Sequence, residues 1–186
     1  VLAEALGRAG LLVAAFDLRG TGQSSGHRGH VNSWPEYVND AASFCEQLRG
    51  RHPGLPLFLF GHSLGSIIAL ALVMEQPAAA RGLIVSGTAV DPVGVARPHL
   101  VAIARLFSRV WPTFSVRIQS AERPKLSRDP EVDAAFMADP LVLKSVTARF
   151  GTEALAMIAS LKRRAGWVTL PLLAIHGEAD PLNSLA

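Results

Sequence analysis

A serine between two glycines is the residue in this sequence best placed to do chemistry. Residues 61–65 read Gly-His-Ser-Leu-Gly and separate a short apolar run from a longer one. A Gly-x-Ser-x-Gly pentad between a strand and a helix is typical of a nucleophile elbow, a tight turn that exposes a serine hydroxyl. We therefore predict that Ser63 is a nucleophile and that the backbone N–H of Leu64 stabilises an oxyanion. Gly61 and Gly65 are expected to keep the turn free of bulk.

A carboxylate that could assist this serine follows the last apolar run of the chain. Asp180 comes shortly after residues 171–175. Serine hydrolases with this elbow carry their triad in the chain order serine, aspartate or glutamate, histidine. Asp180 is predicted to accept a hydrogen bond from the histidine and to stabilise the imidazolium that forms. Glu178 is the competing carboxylate, and a turn before Pro181 is the alternative role for Asp180.

A histidine after the acidic residue is the part of this constellation that the sequence does not contain. All six histidines precede Asp180: His27, His30, His52, His62, His99 and His176. We expect the general base to lie beyond Ala186 in a longer protein, and the loop with the first oxyanion donor to lie before residue 1. The polypeptide as written is expected to be nearly inactive, because losing one triad member removes most of the rate.

Alternating strands and helices are predicted to position these residues. Apolar runs at residues 11–16, 57–60, 82–86 and 171–175 are typical of buried parallel strands. Between them lie helical segments, one of which opens at Ser33 with the spacing of a capping box and runs to about residue 48. The order predicts an α/β protein with a mostly parallel sheet and helices on both faces.

Two further segments have more than one interpretation. The glycine-rich residues 17–26 are read as a structural turn rather than a phosphate cradle, because no Gly-Lys-Ser or Gly-x-Gly-x-x-Gly spacing is present. Residues 91–168 are predicted to form a helical cap between a core at 1–90 and its return at 169–186. The cap has an apolar stripe over residues 100–111, which we expect to be buried against the sheet; the alternative is contact with a membrane surface or an acyl chain.

The composition excludes several classes of protein. Hydrophobic residues make up 49% and charged residues 18% of the 186 residues, which is typical of a globular protein. No apolar run is long enough to cross a bilayer. The net charge of +3 comes from scattered basic residues, so no nucleic-acid partner is expected. The single cysteine, Cys45, excludes an internal disulfide and fits a reducing compartment, so a cytoplasmic location is expected.

Several segments together carry a family resemblance that spans nearly the whole chain. Residues 17–24 are similar to an Asp-x-Arg-Gly-x-Gly-x-Ser segment, and residues 61–65 match the elbow of the same family. Residues 126–130 and 138–141 resemble its cap, and residues 176–180 resemble the segment that holds its acid. The chain thus resembles the monoacylglycerol lipases and lysophospholipases of the α/β-hydrolase superfamily.

The resemblance implies hydrolysis of the ester in a monoglyceride through an acyl-serine intermediate. By position, Ser63 would be the nucleophile, Asp180 the acid and Leu64 an oxyanion donor. The implied partner is a lipid ester, with peripheral membrane contact through the cap, and neither a metal nor an organic cofactor is expected. The alternatives are a short-chain carboxylesterase, an aminopeptidase, or a non-catalytic binding domain on the same scaffold. The sequence predicts no particular oligomeric state.

Overall fold

The computed structural model describes residues 2–92, 98–118 and 126–184. Within these ranges the helices, numbered in chain order, are α1 (Leu2–Arg8), α2 (Trp34–Arg51), α3 (Leu64–Glu75), α4 (Pro98–Val110), α5 (Pro130–Ala138) and α6 (Ala148–Arg163). The strands are β1 (Phe58–His62), β2 (Gly82–Ser86), β3 (Ser115–Arg117), β4 (Ser145–Thr147) and β5 (Leu172–Ile175). None of the helices in the described ranges is both long and apolar enough to span a membrane.

Three of the strands form a parallel sheet in the order β1-β2-β5. Leu59 of β1 is in register with Leu83 of β2, and Leu83 is in register with Leu172 of β5. Because all three strands run in one direction, their carboxyl ends meet at the same edge of the sheet. The predicted α/β class with parallel strands is confirmed, and the residues that follow β1 and β5 are brought to one edge.

The predicted strand over residues 11–16 is wrong for the described chain. The segment has no regular secondary structure and belongs to neither sheet, and Leu11 is 57% exposed. A strand is stabilised by ladder hydrogen bonds to a neighbour, and no strand of the described chain pairs with this segment. Its contact with the helical layer is made by Phe16, whose ring centroid lies 4.6 Å from that of Phe44 in α2.

The outer strands of the sheet are also less buried than the apolar sequence predicts. Phe58 and Phe60 of β1 are 60% and 45% exposed, and three residues of β5 are comparably exposed: Leu172, Leu173 and Ile175. β1 and β5 each pair on one side only within the described sheet, whereas the central β2 keeps Leu83 and Val85 buried.

Helix α3 forms the centre of the apolar core. On one side it packs against α2 and α6, where Leu72 of α3 and Ile158 of α6 belong to one buried cluster. On the other side its Val73 packs against Leu83 and Val85 of β2 in a second cluster. A helix that is apolar on every face is normally buried on every face, which explains the uniform composition of this segment.

Helix α2 begins where predicted, but its first turn is capped differently. Ser33 makes no side-chain capping hydrogen bond, so the predicted capping box is wrong. The Trp34 N–H instead donates to Glu153 Oε2 of α6 at 3.0 Å, and Glu36 pairs with Arg19. A carboxylate from another element thus takes the place of the local cap, and the helix runs on to Arg51, beyond the predicted end.

The region between β2 and β5 contains the predicted helices and a small antiparallel ribbon of β3 and β4. The expected burial of the apolar stripe is wrong for four of its residues, which are 48–77% exposed, namely Leu100, Ile103, Val110 and Trp111. The other two, Ala104 and Phe107, are half-buried. Helix α6 has a different environment, because its Ile158 and Leu161 lie in the main core cluster. The boundaries of a cap at residues 91 and 168 stay a prediction.

Candidate active site

The turn between β1 and α3 holds Ser63 in a strained conformation. Ser63 has φ 49° and ψ −117°, and among the described residues it is the one non-glycine residue with a positive φ. Such a conformation costs on the order of 1–3 kcal/mol and persists where the surrounding structure enforces it. The Ser63 N–H donates to the Ser86 carbonyl oxygen at 3.0 Å, which extends the β1–β2 ladder into the turn.

The close approach of the helix to the strand explains one of the two glycines. A Cβ on Gly61 would lie 2.6 Å from the Gly65 carbonyl oxygen and 2.7 Å from Ser66 Cα, which is shorter than any real contact. A Cβ on Gly65 would meet nothing within 4 Å. Of the two glycines that were expected to keep the turn free of bulk, only Gly61 lies where a side chain would clash with other described residues.

Leu64 is the first residue of α3 and follows Ser63 directly. The first N–H groups of an α-helix have no partner within the helix, and the helix dipole places partial positive charge at this end. The Leu64 N–H therefore has the properties that an oxyanion donor requires.

Asp180 lies in the loop after β5, at the same edge of the sheet. Its Oδ1 accepts hydrogen bonds from the backbone N–H of Leu182 at 2.8 Å and of Asn183 at 3.1 Å. Partial burial by itself raises the pKa of the carboxyl, but these backbone hydrogen bonds and the nearby His176 ring outweigh it. The pKa of Asp180 is therefore lowered from its ordinary value, and the residue is held as a carboxylate.

His176 is a contact of this carboxylate that the sequence reasoning did not find. Its Nε2 lies 3.3 Å from Asp180 Oδ2 and 3.2 Å from the Asn183 carbonyl oxygen. Both partners accept, so Nε2 carries a proton. The four-residue separation of His176 and Asp180 at a strand end was a signal that could have indicated the contact.

Gly87, directly after β2, is the point where the elbow and the acid loop meet. A Cβ at this position would lie 3.2 Å from His62 Cε1 and 3.8 Å from Asp180 Oδ2. Gly87 has φ 49°, a backbone conformation that side chains disfavour, and its N–H donates to the Ile175 carbonyl oxygen at 2.9 Å. The structure thus brings the loops after β1, β2 and β5 together at one edge of the sheet.

The glycine-rich loop has a structural arrangement. Arg19 binds both carboxylate oxygens of Asp40 in α2 at 2.7 Å and also pairs with Glu36. The side chain of Asp17 accepts the Gln23 N–H at 2.9 Å, inside the loop. Hydrogen bonding to Asp40 keeps the pKa of Arg19 above its ordinary value. Because Arg19 is already paired with two carboxylates of α2 and Asp17 adds a negative charge, the loop is ill-suited to phosphate, which agrees with its interpretation as a turn.

The sequence matches the Hydrolase_4 family, described as serine aminopeptidase, S33, over residues 1–186. It is 35% identical over 186 residues to a monoacylglycerol lipase from Mycolicibacterium smegmatis, covering all of this chain and 66% of that protein. It is 31% identical to a monoglyceride lipase from Mus musculus over 188 residues, covering 97% of this chain and 60% of that protein.

A solved structure gives the same result for the fold. The crystal structure of the Paleococcus ferrophilus monoacylglycerol lipase superposes with a TM-score of 0.85 at 30% identity, covering 98% of this chain and 68% of that one. The chain spans 60–66% of the length of the two curated relatives. With the elbow geometry and the parallel sheet, these matches show that the chain belongs to the Hydrolase_4 family of α/β-hydrolases, within the group of the monoacylglycerol lipases.

Proposed function

We propose that the protein containing this chain is a serine ester hydrolase that cleaves monoacylglycerols, or similar single-chain lipid esters, to a fatty acid and glycerol. In this proposal Ser63 is the nucleophile, Asp180 the acid of the triad and the Leu64 N–H an oxyanion donor. The observation that carries it is the strained backbone of Ser63 at the sheet edge where the Asp180 carboxylate also lies. Strain of this kind clusters at sites where geometry serves a reaction.

The reaction follows the acyl-enzyme route. Ser63 Oγ attacks the ester carbonyl carbon, its proton passes to the general base, and the carbonyl electron pair moves to the oxygen facing the Leu64 N–H. The C–O bond to glycerol then breaks, and the base returns the proton to the leaving oxygen. Water repeats the sequence on the acyl-serine and releases the fatty acid. We propose that the base is a histidine, as in the serine–histidine–acid triad.

The lipid class of the substrate is supported by the exposed face of α4. Leu106 and Val110 of this helix are 62% and 77% exposed, and Arg105 and Arg109 are exposed beside them. An amphipathic helix with an apolar face and basic flanks is suited to lie in the interface of a membrane with anionic lipids. The proposal therefore includes peripheral membrane contact through α4. The curated relatives are named for lipases of monoacylglycerols and monoglycerides, which agrees with this class.

The first test is ester hydrolysis by the full-length gene product. Fatty-acid release is measured from a long-chain monoacylglycerol, a diacylglycerol, a short-chain ester and an aminoacyl amide, each also with Ser63→Ala. We expect release from the monoacylglycerol, reduced at least about a thousandfold in the variant because the nucleophile is lost. Activity on the short ester alone, or on the amide alone, would contradict the lipase assignment. Absence of serine-dependent activity on all four substrates would favour a binding domain.

Membrane contact is tested separately by co-sedimentation with vesicles that contain anionic lipid. Leu106→Ser should lower the bound fraction, because a large apolar side chain leaves the docking face. Leu55→Ser is the matched control, since Leu55 is 57% exposed but precedes β1 and is not part of α4. Equal binding of both variants and the wild type would contradict the role of α4.

A further inference from the structure

A buried hydroxyl lies directly beneath the elbow. Ser66 of α3 is 0% exposed, and its Oγ donates to the Ser63 carbonyl oxygen at 2.5 Å. The same Oγ lies 2.7 Å from Thr88 Oγ1, in the loop after β2. A carbonyl oxygen only accepts, so the single hydroxyl proton of Ser66 is used there and Thr88 supplies the proton of the second bond. The hydrogen bonds therefore run from Thr88 to Ser66 and from Ser66 to Ser63.

The Ser63 carbonyl oxygen and the Leu64 N–H belong to one peptide group. That group is planar and trans, so the C=O and the N–H point in opposite directions. The carbonyl oxygen receives two bonds from Ser66, one from Oγ and one from its N–H at 3.0 Å. Fixing the direction of the carbonyl therefore fixes the direction of the Leu64 N–H on the other side of the same plane.

The strained backbone of Ser63 favours a rotation that the hydrogen bonds from Ser66 would prevent. A residue at φ 49° and ψ −117° can relax by rotating its ψ angle, which would turn the peptide group and move the Leu64 N–H. The bond from Ser66 Oγ resists that rotation, and the bond from Thr88 keeps the Ser66 hydroxyl aimed at the carbonyl. The restraint also links the first turn of α3 to the loop that follows the neighbouring strand.

We infer that Ser66, oriented by Thr88, is a positioning residue for the oxyanion donor at Leu64. The inference rests on the serine-hydrolase function proposed above and extends it to two residues outside the triad. A serine that bonds back to a carbonyl three residues earlier could instead merely satisfy its own buried hydroxyl. That structural role would change stability, whereas the positioning role also changes the rate.

The test uses the full-length enzyme and a water-soluble short-chain ester, which removes any effect of membrane contact. Ser66→Ala should lower kcat about tenfold with KM nearly unchanged, because the donor is displaced rather than deleted. The affinity for a boronic acid, which mimics the tetrahedral intermediate, should fall by the same factor. Thr88→Val should lower kcat by a smaller factor, and Thr88→Ser, which keeps the hydroxyl, should restore the wild-type value.

Ser108→Ala is the matched control. Ser108 is 4% exposed and bonded to another hydroxyl, Thr152 Oγ1 at 2.9 Å, but it joins α4 to α6 far along the chain from the elbow. The Ser108→Ala substitution should lower the melting temperature and leave kcat on the soluble ester unchanged.

The outcomes separate the positioning role from the function itself. A Ser66→Ala enzyme with a lowered melting temperature but wild-type kcat and boronic-acid affinity would overturn the positioning role and leave the hydrolase function intact. If Ser66→Ala does not fold, the Thr88 pair decides, and equal kcat for Thr88→Val and Thr88→Ser would overturn it. A wild-type enzyme without esterase activity would end both proposals together.

Discussion

Helix α3, which follows the elbow, and helix α4, which lies in the predicted cap, both carry many apolar side chains, but they differ in what surrounds those side chains. In α3, Leu72 and Val73 are 0% exposed, with α2 and α6 on one side and the sheet on the other. In α4, Leu106 is 62% exposed, and the buried residue is a serine, Ser108. Helix α3 is packed against other elements on both sides, whereas α4 is packed mainly against α6 and leaves much of its apolar surface exposed.

The difference agrees with what each helix is proposed to do. A nucleophile and its oxyanion donor require fixed geometry, because displacement by about 1 Å can cost a hundredfold in rate. A surface that meets lipid requires exposed apolar area instead. Apolar side chains are therefore common to both helices, and it is their burial that differs. Buried apolar residues suit the proposed positioning role of α3, and exposed ones suit the proposed lipid contact of α4.

Substitutions in the elbow should reduce activity more than substitutions elsewhere in the molecule, and replacing each of its two glycines tests this directly. Gly61→Ala places a Cβ 2.6 Å from the Gly65 carbonyl oxygen, so the strand and helix must separate. We expect activity to fall by about a hundredfold or more, with a stability loss of about 1–3 kcal/mol. Esterase kinetics and thermal unfolding of the full-length protein measure the two effects.

Gly65→Ala is the control for that experiment. A Cβ there meets nothing within 4 Å, and alanine in a helix is more stable than glycine by about 0.5–1 kcal/mol. We expect activity near that of the wild type. Equal losses in the two variants would show that the close approach at Gly61 does not control the elbow.

The contrast in burial predicts a second, smaller difference, this time in stability. Leu72→Ala in α3 should destabilise the protein by about 2–5 kcal/mol, because it opens a cavity in the main core. Leu106→Ala in α4 should change stability by no more than about 0.5 kcal/mol, since its side chain is mostly exposed. Denaturant unfolding measures both. A similar cost at the two positions would mean that α4 is covered in the full-length protein.

The smallest expected effect concerns the acid loop at low pH. Because the pKa of Asp180 is lowered in the fold, its carboxylate contributes stability above the unfolded aspartate pKa of about 3.9. That contribution is lost as the pH falls through the lowered pKa. Asp180→Asn should therefore flatten the acid limb of melting temperature against pH. Glu178→Gln, which removes an exposed carboxylate from the same loop, is the control, and an equal flattening there would contradict the assignment.

The sequence by itself determined the elements closest to the chemistry. The pentad around Ser63 and the apolar segments beside it predict a strand, a turn and a helix, and the structure has them in that order. These features are local, since the turn depends on a glycine at position 61 and the helix on a continuous apolar segment. The carboxyl-end position of Asp180 also followed from the chain order, because parallel strands end at one edge.

Only the tertiary structure decided the contacts between segments distant in the chain. Residues 11–16 have the composition of a strand but no pairing partner in the described chain, and composition does not supply one. The exposed stripe of α4 depends on which of its faces meets α6. The Thr88–Ser66–Ser63 hydrogen bonds join a loop to a helix across 22 residues of sequence. Their existence depends on distances of about 3 Å, which no spacing rule along the chain specifies.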